Sequence, residues 1–244
     1  MPRSPVPRSH AATRDPALLL LSSLLLVLAM MAAMARGALA DDGQEAADFV
    51  RDFGDQAIAM LTDESLDREA RTREFRRLLT AGFHMEAIGR FVLGRHWRRA
   101  SATERAEFAQ LFEDYLVASY GEKLSAYSGE QFVVQGGRPK GKSGAIVTSR
   151  IVPPEGAPLR IEWRLRRSAG TWRIIDVVVE GVSMAVTQRS EFSSVIASRG
   201  GKMDGLLEAL RGKIAVPDTA NAPEAPDGPD APDAVATSGA EEAS

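Results

Sequence analysis

The spacing of apolar residues changes period at Gly129 and changes back after Gly181, and that double switch constrains the fold more than any single motif. Up to Leu124 large apolar side chains recur every three to four residues: Ala46, Phe49, Val50, Phe53, Ala57, Met60 and Leu61 form one stripe over residues 45–61. Leu66, Phe75, Leu78 and Leu79 lie among Arg and Glu over Ser65–Thr80, and Phe83–Leu93 closes on Gly94. Such spacing predicts amphipathic helices. Ser101-Ala102-Thr103-Glu104 is a capping-box pattern, in which hydroxyl and carboxylate each satisfy an orphan amide of the first turn. The helix it opens is expected to run to about Leu124, aligning Phe108, Leu111, Phe112, Tyr115, Leu116 and Tyr120.

From Gly129 the period falls to two. Strands are expected at Gln131–Gln135, Ala145–Val152, Leu159–Arg167 and Thr171–Glu180, separated by Gly-Gly-Arg-Pro, Pro-Pro-Glu-Gly and Ser-Ala-Gly. The third alternates cleanly: Leu159, Ile161, Trp163 and Leu165 point one way, and Arg160, Glu162, Arg164 and Arg166 the other. Connections this short require antiparallel pairing, and one sheet face is apolar while the other is wet. Helical spacing then resumes with Met184, Val195 and Ile196, and again with Met203, Leu206, Leu207 and Leu210. The expectation is an α+β fold, with helices packed on one face of a twisted antiparallel sheet of about four strands.

The two ends differ from this body. Arg3, Arg8 and Arg14 precede the apolar run Ala17–Ala35, and Ala38-Leu39-Ala40 precedes Asp41, the order of a secretory signal peptide with its cleavage site. Residues 1–40 are therefore expected to be a signal peptide cleaved near Ala40, so that the mature chain is exported and begins near Asp41. An uncleaved anchor is the rival reading, against which stand the Ala and Ser content, the early Arg36 and the small-x-small site. Residues 217–244 carry seven acids and no base in an Ala/Pro/Asp-rich run, too poor in apolar surface to offset chain entropy, so a disordered acidic tail is expected. The net charge of -3 thus belongs to the tail: residues 41–216, the expected folded domain, hold 26 basic and 25 acidic side chains. So balanced a body does not suit duplex nucleic acid, and no nucleic-acid partner is expected.

Chemistry-bearing groups are few. The chain has no Cys, which removes disulfides, thiolate metal sites, thiol nucleophiles and lipid attachment through sulfur. His84 and His96 lie on different segments without a ligand at helical spacing, so both are expected to be surface or cap residues, and neither metal nor cofactor is expected. Gly136-Gly137 with Lys140-Gly141-Lys142 links two strands rather than opening a helix, so it reads as a hairpin loop and not a phosphate cradle. Asp176, inside Ile174-Ile175-Asp176-Val177-Val178, is the one candidate general base; the alternative is a carboxylate satisfied by hydrogen bonds or by an Arg. Arg95, Arg98 and Arg99 beside Trp97 are candidates for contact with a phosphate head group or an acidic partner, the alternative being a solvated face.

Phe91-Val92-Leu93-Gly94-Arg95-His96-Trp97-Arg98, the aromatic helix after it, Tyr127-Ser128-Gly129, Asp176 through Met184, Glu191-Phe192 and Asp204-Gly205-Leu206 together resemble the MlaC/toluene-tolerance family of periplasmic lipid carriers, over about residues 45–212 and in the expected order. His96 stands where a Tyr is common, and the acidic tail is a departure. The resemblance implies helices and a twisted sheet enclosing an apolar cavity for the acyl chains of a phospholipid, and no enzymatic activity. It also implies shuttling between an outer-membrane lipoprotein complex and an inner-membrane ABC transporter with an MCE-domain subunit. A hopanoid-associated branch of the family is the alternative, as is a pocketed enzyme using Asp176. On this reading the cavity is expected between the apolar sheet face (Val147, Ile161, Trp163, Leu165, Val177) and the aromatic helix (Phe112, Tyr115, Tyr120), closed by Met184 and Phe192, each of which is otherwise ordinary core.

Overall fold

A computed structural model describes residues 42–124 and 127–215. The expected signal peptide and acidic tail lie outside the described residues. Helix α1 is described over 42–62, followed by α2 (Arg68–Gly82), α3 (Met85–Leu93), α4 (Arg95–Arg99) and α5 (Ala102–Leu124). Strands β1 (Gln131–Lys140), β2 (Gly144–Val152), β3 (Leu159–Ser168), β4 (Thr171–Val179) and β5 (Val182–Ser183) precede α6 (Met184–Ser198) and α7 (Met203–Ala215). The capping box at α5 forms as its sequence demands: the Ser101 amide donates to Glu104 Oε2 at 2.7 Å and the Glu104 amide to Ser101 Oγ at 3.2 Å. Gly94 separates α3 from α4 at φ +53, a left-handed conformation that glycine adopts without a Cβ penalty.

All five strands pair antiparallel in chain order. The sheet therefore has one strand more than expected, the short β5 that turns the chain into α6. The larger departure concerns Gly136-Gly137-Arg138-Pro139, expected as a turn: these residues continue β1 to Lys140, and the hairpin reverses at residues 141–143. A bulge between Val134 and Gly136 absorbs the irregularity, and Gly137 is needed because the start of α1 lies directly on it. A Cβ on Gly137 would sit 2.1 Å from the Gly43 carbonyl oxygen.

Directly opposed residues share a sheet face, so the pairs Val147–Trp163, Trp163–Val177 and Ile161–Val179 assemble the apolar face that the alternation of β3 foretells. A second bulge, at Ile175, lets Ile174 pair with Leu165 on that same face before Val177 and Val179 take over. Two hydrophobic clusters result. One packs Ala46, Ala47 and Val50 of α1 against Ala145, Val147, Leu165, Trp172 and Ile174 of the sheet. Arg167 clasps this end, its guanidinium 4.7 Å from the Trp172 ring centroid and bonded to Asp42 at 2.8 Å and to Glu45. The other cluster gathers α3, α5, α6 and α7 around Phe108, Phe112, Phe192, Ile196, Leu206 and Leu210.

Candidate functional site

The two clusters meet at Phe83 but do not otherwise close on each other. Between them lies a cavity of about 410 Å³, within the range typical of small-molecule sites. Each helix reaches it for a local reason. Met85, Ile88 and Val92 recur at three and four residues along α3 and turn one stripe inward. Phe112, Leu116 and Tyr120 do the same along α5, and Met184, Ala185 and Gln188 open α6. Ile161, Trp163, Val177 and Val179 form the sheet wall, and Phe53, Phe75, Leu79 and Phe83 complete the lining from α1, α2 and the α2–α3 link. The Trp163 ring faces the cavity while its Nε1 donates at 2.8 Å to Ser149 Oγ, a fully buried hydroxyl, so the indole contributes apolar surface without an unsatisfied N–H.

Among the described residues, the lining side chains with polar groups besides Trp163 are Asp176, Gln188 and Tyr120. Asp176 has its oxygens engaged: Arg164 Nη1 at 2.8 Å and Ser183 Oγ at 2.7 Å donate to Oδ2, and the Ala185 amide donates to Oδ1 at 3.1 Å. It ties β3, β4 and the first turn of α6 together, the hydrogen-bonded alternative that the sequence left open. Gln188 Nε2 donates to Glu191 at 3.0 Å, and it and Ser119 hydrogen-bond the Tyr115 hydroxyl. Burial raises the proton affinity of both phenols, reinforced by Tyr115 and Glu191 at Tyr120 and by Glu191 at Tyr115. Both therefore stay neutral hydrogen-bonding groups at any ordinary pH.

Of the ten residues expected around a ligand, Phe112, Tyr120, Ile161, Trp163, Val177 and Met184 line the cavity. The other four lie elsewhere. Val147 and Leu165 sit beneath α1 in the sheet cluster, because that helix crosses the part of the apolar face they occupy. Tyr115 and Phe192 pack within the helical cluster, where Phe192 meets the rings of Phe108, Phe112 and Tyr115 at 5.8–6.0 Å. Phe53, Phe75 and Phe83 went unanticipated, although their helical stripe was legible: the pattern shows that they turn inward, not that they meet a gap. Arg95 and Arg98 border a separate surface hollow with Arg90, Gly94, Trp97 and Arg189, which Arg99 does not line. His96 is buried rather than superficial, and burial, then Arg95 and Arg99, lowers its proton affinity. No group of three or more His, Cys, Asp or Glu side chains suited to a metal occurs among the described residues.

Helices that leave a dry-walled chamber against an open antiparallel sheet define an α+β domain built around an apolar cavity. The chain belongs to the MlaC family, whose family model, the MlaC protein, matches residues 51–212. It is 23% identical over 129 residues to the toluene tolerance protein ttg2D of Pseudomonas putida, covering 52% of this chain and 60% of that protein. It is 25% identical over 138 residues to the intermembrane phospholipid transport system binding protein MlaC of Haemophilus influenzae, covering 55% of this chain and 64% of that one. The matched region thus spans less than two thirds of either relative. Among solved structures, the fold is similar to a phospholipid-binding protein from Ralstonia solanacearum in complex with a phospholipid, with a TM-score of 0.61, 19% identity, and coverage of 69% of this chain and 96% of that one.

Proposed function

We propose that this protein is a non-enzymatic periplasmic carrier that holds phospholipid acyl chains in the cavity between sheet and helices and moves lipid between outer-membrane and inner-membrane complexes. The observation that carries the reading is the cavity itself, bounded almost wholly by hydrocarbon and aromatic surface and located where the apolar sheet face meets α3, α5 and α6. The name of the Haemophilus relative and the phospholipid in the Ralstonia structure support the choice of ligand. The N-terminal pattern of basic, apolar and small residues supports export, with cleavage near Ala40 and residues 41–216 as the working domain. Among the described residues no helix is long and apolar enough to cross a membrane.

Energetics explain why such a protein needs a cavity and no reactive group. Two acyl chains hold on the order of 30 methylenes, and at about 0.8 kcal/mol each their removal from water is worth over 20 kcal/mol gross. That exceeds what non-covalent binding delivers, so release into water is not a workable step. Exchange with a membrane or an apolar tunnel is different, because both sides are hydrocarbon and the free energies nearly balance. The partners expected at the two membranes, an outer-membrane lipoprotein complex and an ABC transporter with an MCE-domain subunit, would supply such tunnels. With the oxygens of Asp176 held by three donors, no free base among the described residues faces the cavity, which argues against the enzyme reading.

The test is transfer of a fluorescent phospholipid from donor to acceptor vesicles. Catalytic amounts of the exported chain should accelerate transfer, and Asp176→Asn should retain that activity if it stays folded. A chain that leaves the spontaneous rate unchanged is not a carrier of this kind.

A further inference from the structure

A second concave site lies outside the cavity and shares none of its lining. Arg90, Gly94, Arg95, Trp97, Arg98 and Arg189 surround a hollow of about 320 Å³. On α3, Arg90 lies roughly 200° around the helix from Ile88, so the hollow occupies the side of α3 turned away from the cavity that Ile88 and Val92 line. Its charge is unneutralised. Arg73, Arg76, Arg164, Arg167 and Arg211 each pair with a carboxylate. None of Arg90, Arg95, Arg98 and Arg189 forms an ion pair among the described residues, and residues 87–103 contain no Asp or Glu.

The guanidiniums are also positioned. That of Arg189 stands 5.3 Å from the Phe91 ring centroid and packs on Gly94, where a Cβ would lie 2.9 Å from its Nε, so glycine there admits Arg189 to the hollow. Arg95 Nε donates to His96 Nε2 at 3.3 Å. Apolar surface adjoins the charge: Phe91 is 42% exposed, and Val186, one turn before Arg189 on α6, is 53% exposed. Converging guanidiniums match phosphate oxygens in bidentate geometry, and exposed aromatic and branched side chains beside them suit the boundary between head groups and acyl chains.

We propose that this hollow docks the protein on the surface of an anionic phospholipid bilayer, with Arg90, Arg95, Arg98 and Arg189 engaging head-group phosphates and Phe91 and Val186 entering the interface. The inference goes beyond the carrier reading and is independent of what the cavity holds. The full exported chain is sedimented with vesicles of phosphatidylcholine alone and of phosphatidylcholine with phosphatidylglycerol, at low and high salt. One arginine near an anionic surface changes partitioning by about fivefold. Binding should therefore be selective for the anionic vesicles, weaken with salt, and fall at least tenfold in the combined variant Arg95→Gln, Arg98→Gln, Arg189→Gln. The variant Arg73→Gln, Arg77→Gln, which removes exposed arginines from α2, should bind like the wild type. The mass of any lipid carried by the triple variant, read by native mass spectrometry, should match that of the wild type, which separates docking from cargo. Equal binding to neutral vesicles, or undiminished binding by the triple variant, overturns the proposal. So does a wild-type chain that ignores anionic vesicles but is retained on immobilised polyaspartate, which would assign the hollow to an acidic protein surface.

Discussion

A carboxyl group set among Ile174, Ile175 and Val177 needs hydrogen-bond partners, and Asp176 finds three, in Arg164, Ser183 and the amide of Ala185. Its position in an apolar strand was legible; its partners were not, because they lie seven to twelve residues away and meet it only once β4 has turned through β5 into α6. Asp176→Asn should destabilise the fold by about 2 kcal/mol, below the usual cost of breaking a buried pair because Arg164 is 37% exposed, as measured by urea unfolding. His96 gives a pH dependence of definite sign. Burial and the neighbouring Arg95 and Arg99 lower its folded proton affinity below the ordinary value of 6.5, so the unfolded chain binds the proton more readily. The stability contributed by the neutral ring is then complete above pH 6.5 and is lost as the pH falls through the lower folded value. His96→Gln should flatten that part of the stability profile, measured as the urea midpoint between about pH 7.5 and 5.

Elements whose boundaries depend on local chemistry were the most legible. The capping box fixed the start of α5, and the strict alternation of β3 told which face of the sheet is apolar. The run Gly136-Gly137-Arg138-Pro139 misled because glycine serves two purposes: it permits turns, and it permits another backbone to approach. Here the second applies, with α1 resting on β1 at Gly43 and Gly137. Gly137→Ala should therefore cost about 1–3 kcal/mol through overpacking at a backbone that cannot yield, measured by thermal or urea unfolding. An alanine in an exposed turn would cost far less, so the measurement discriminates between the two roles.

At the scale of the molecule, the decisive fact is that two hydrophobic clusters, one under α1 and one among α3, α5, α6 and α7, meet at Phe83 and border one chamber. Periodicity separates inside from outside but cannot separate a side chain that meets another from one that meets space. That is why Tyr115, Val147, Leu165 and Phe192 were indistinguishable in sequence from Phe112, Ile161 and Trp163, and why Phe53, Phe75 and Phe83 were missed. The same distinction makes the chamber testable, since filling it should remove a ligand while leaving both clusters packed. Native mass spectrometry of the exported chain measures this directly, on the wild type and on Ala185→Trp and Val177→Trp, with circular dichroism and urea unfolding to show that each variant folds. The carrier account predicts a wild-type mass raised by bound phospholipid and at least one folded variant that is empty. A wild type that carries no lipid even after incubation with phospholipid vesicles, or folded variants that both retain it in full, would contradict the account.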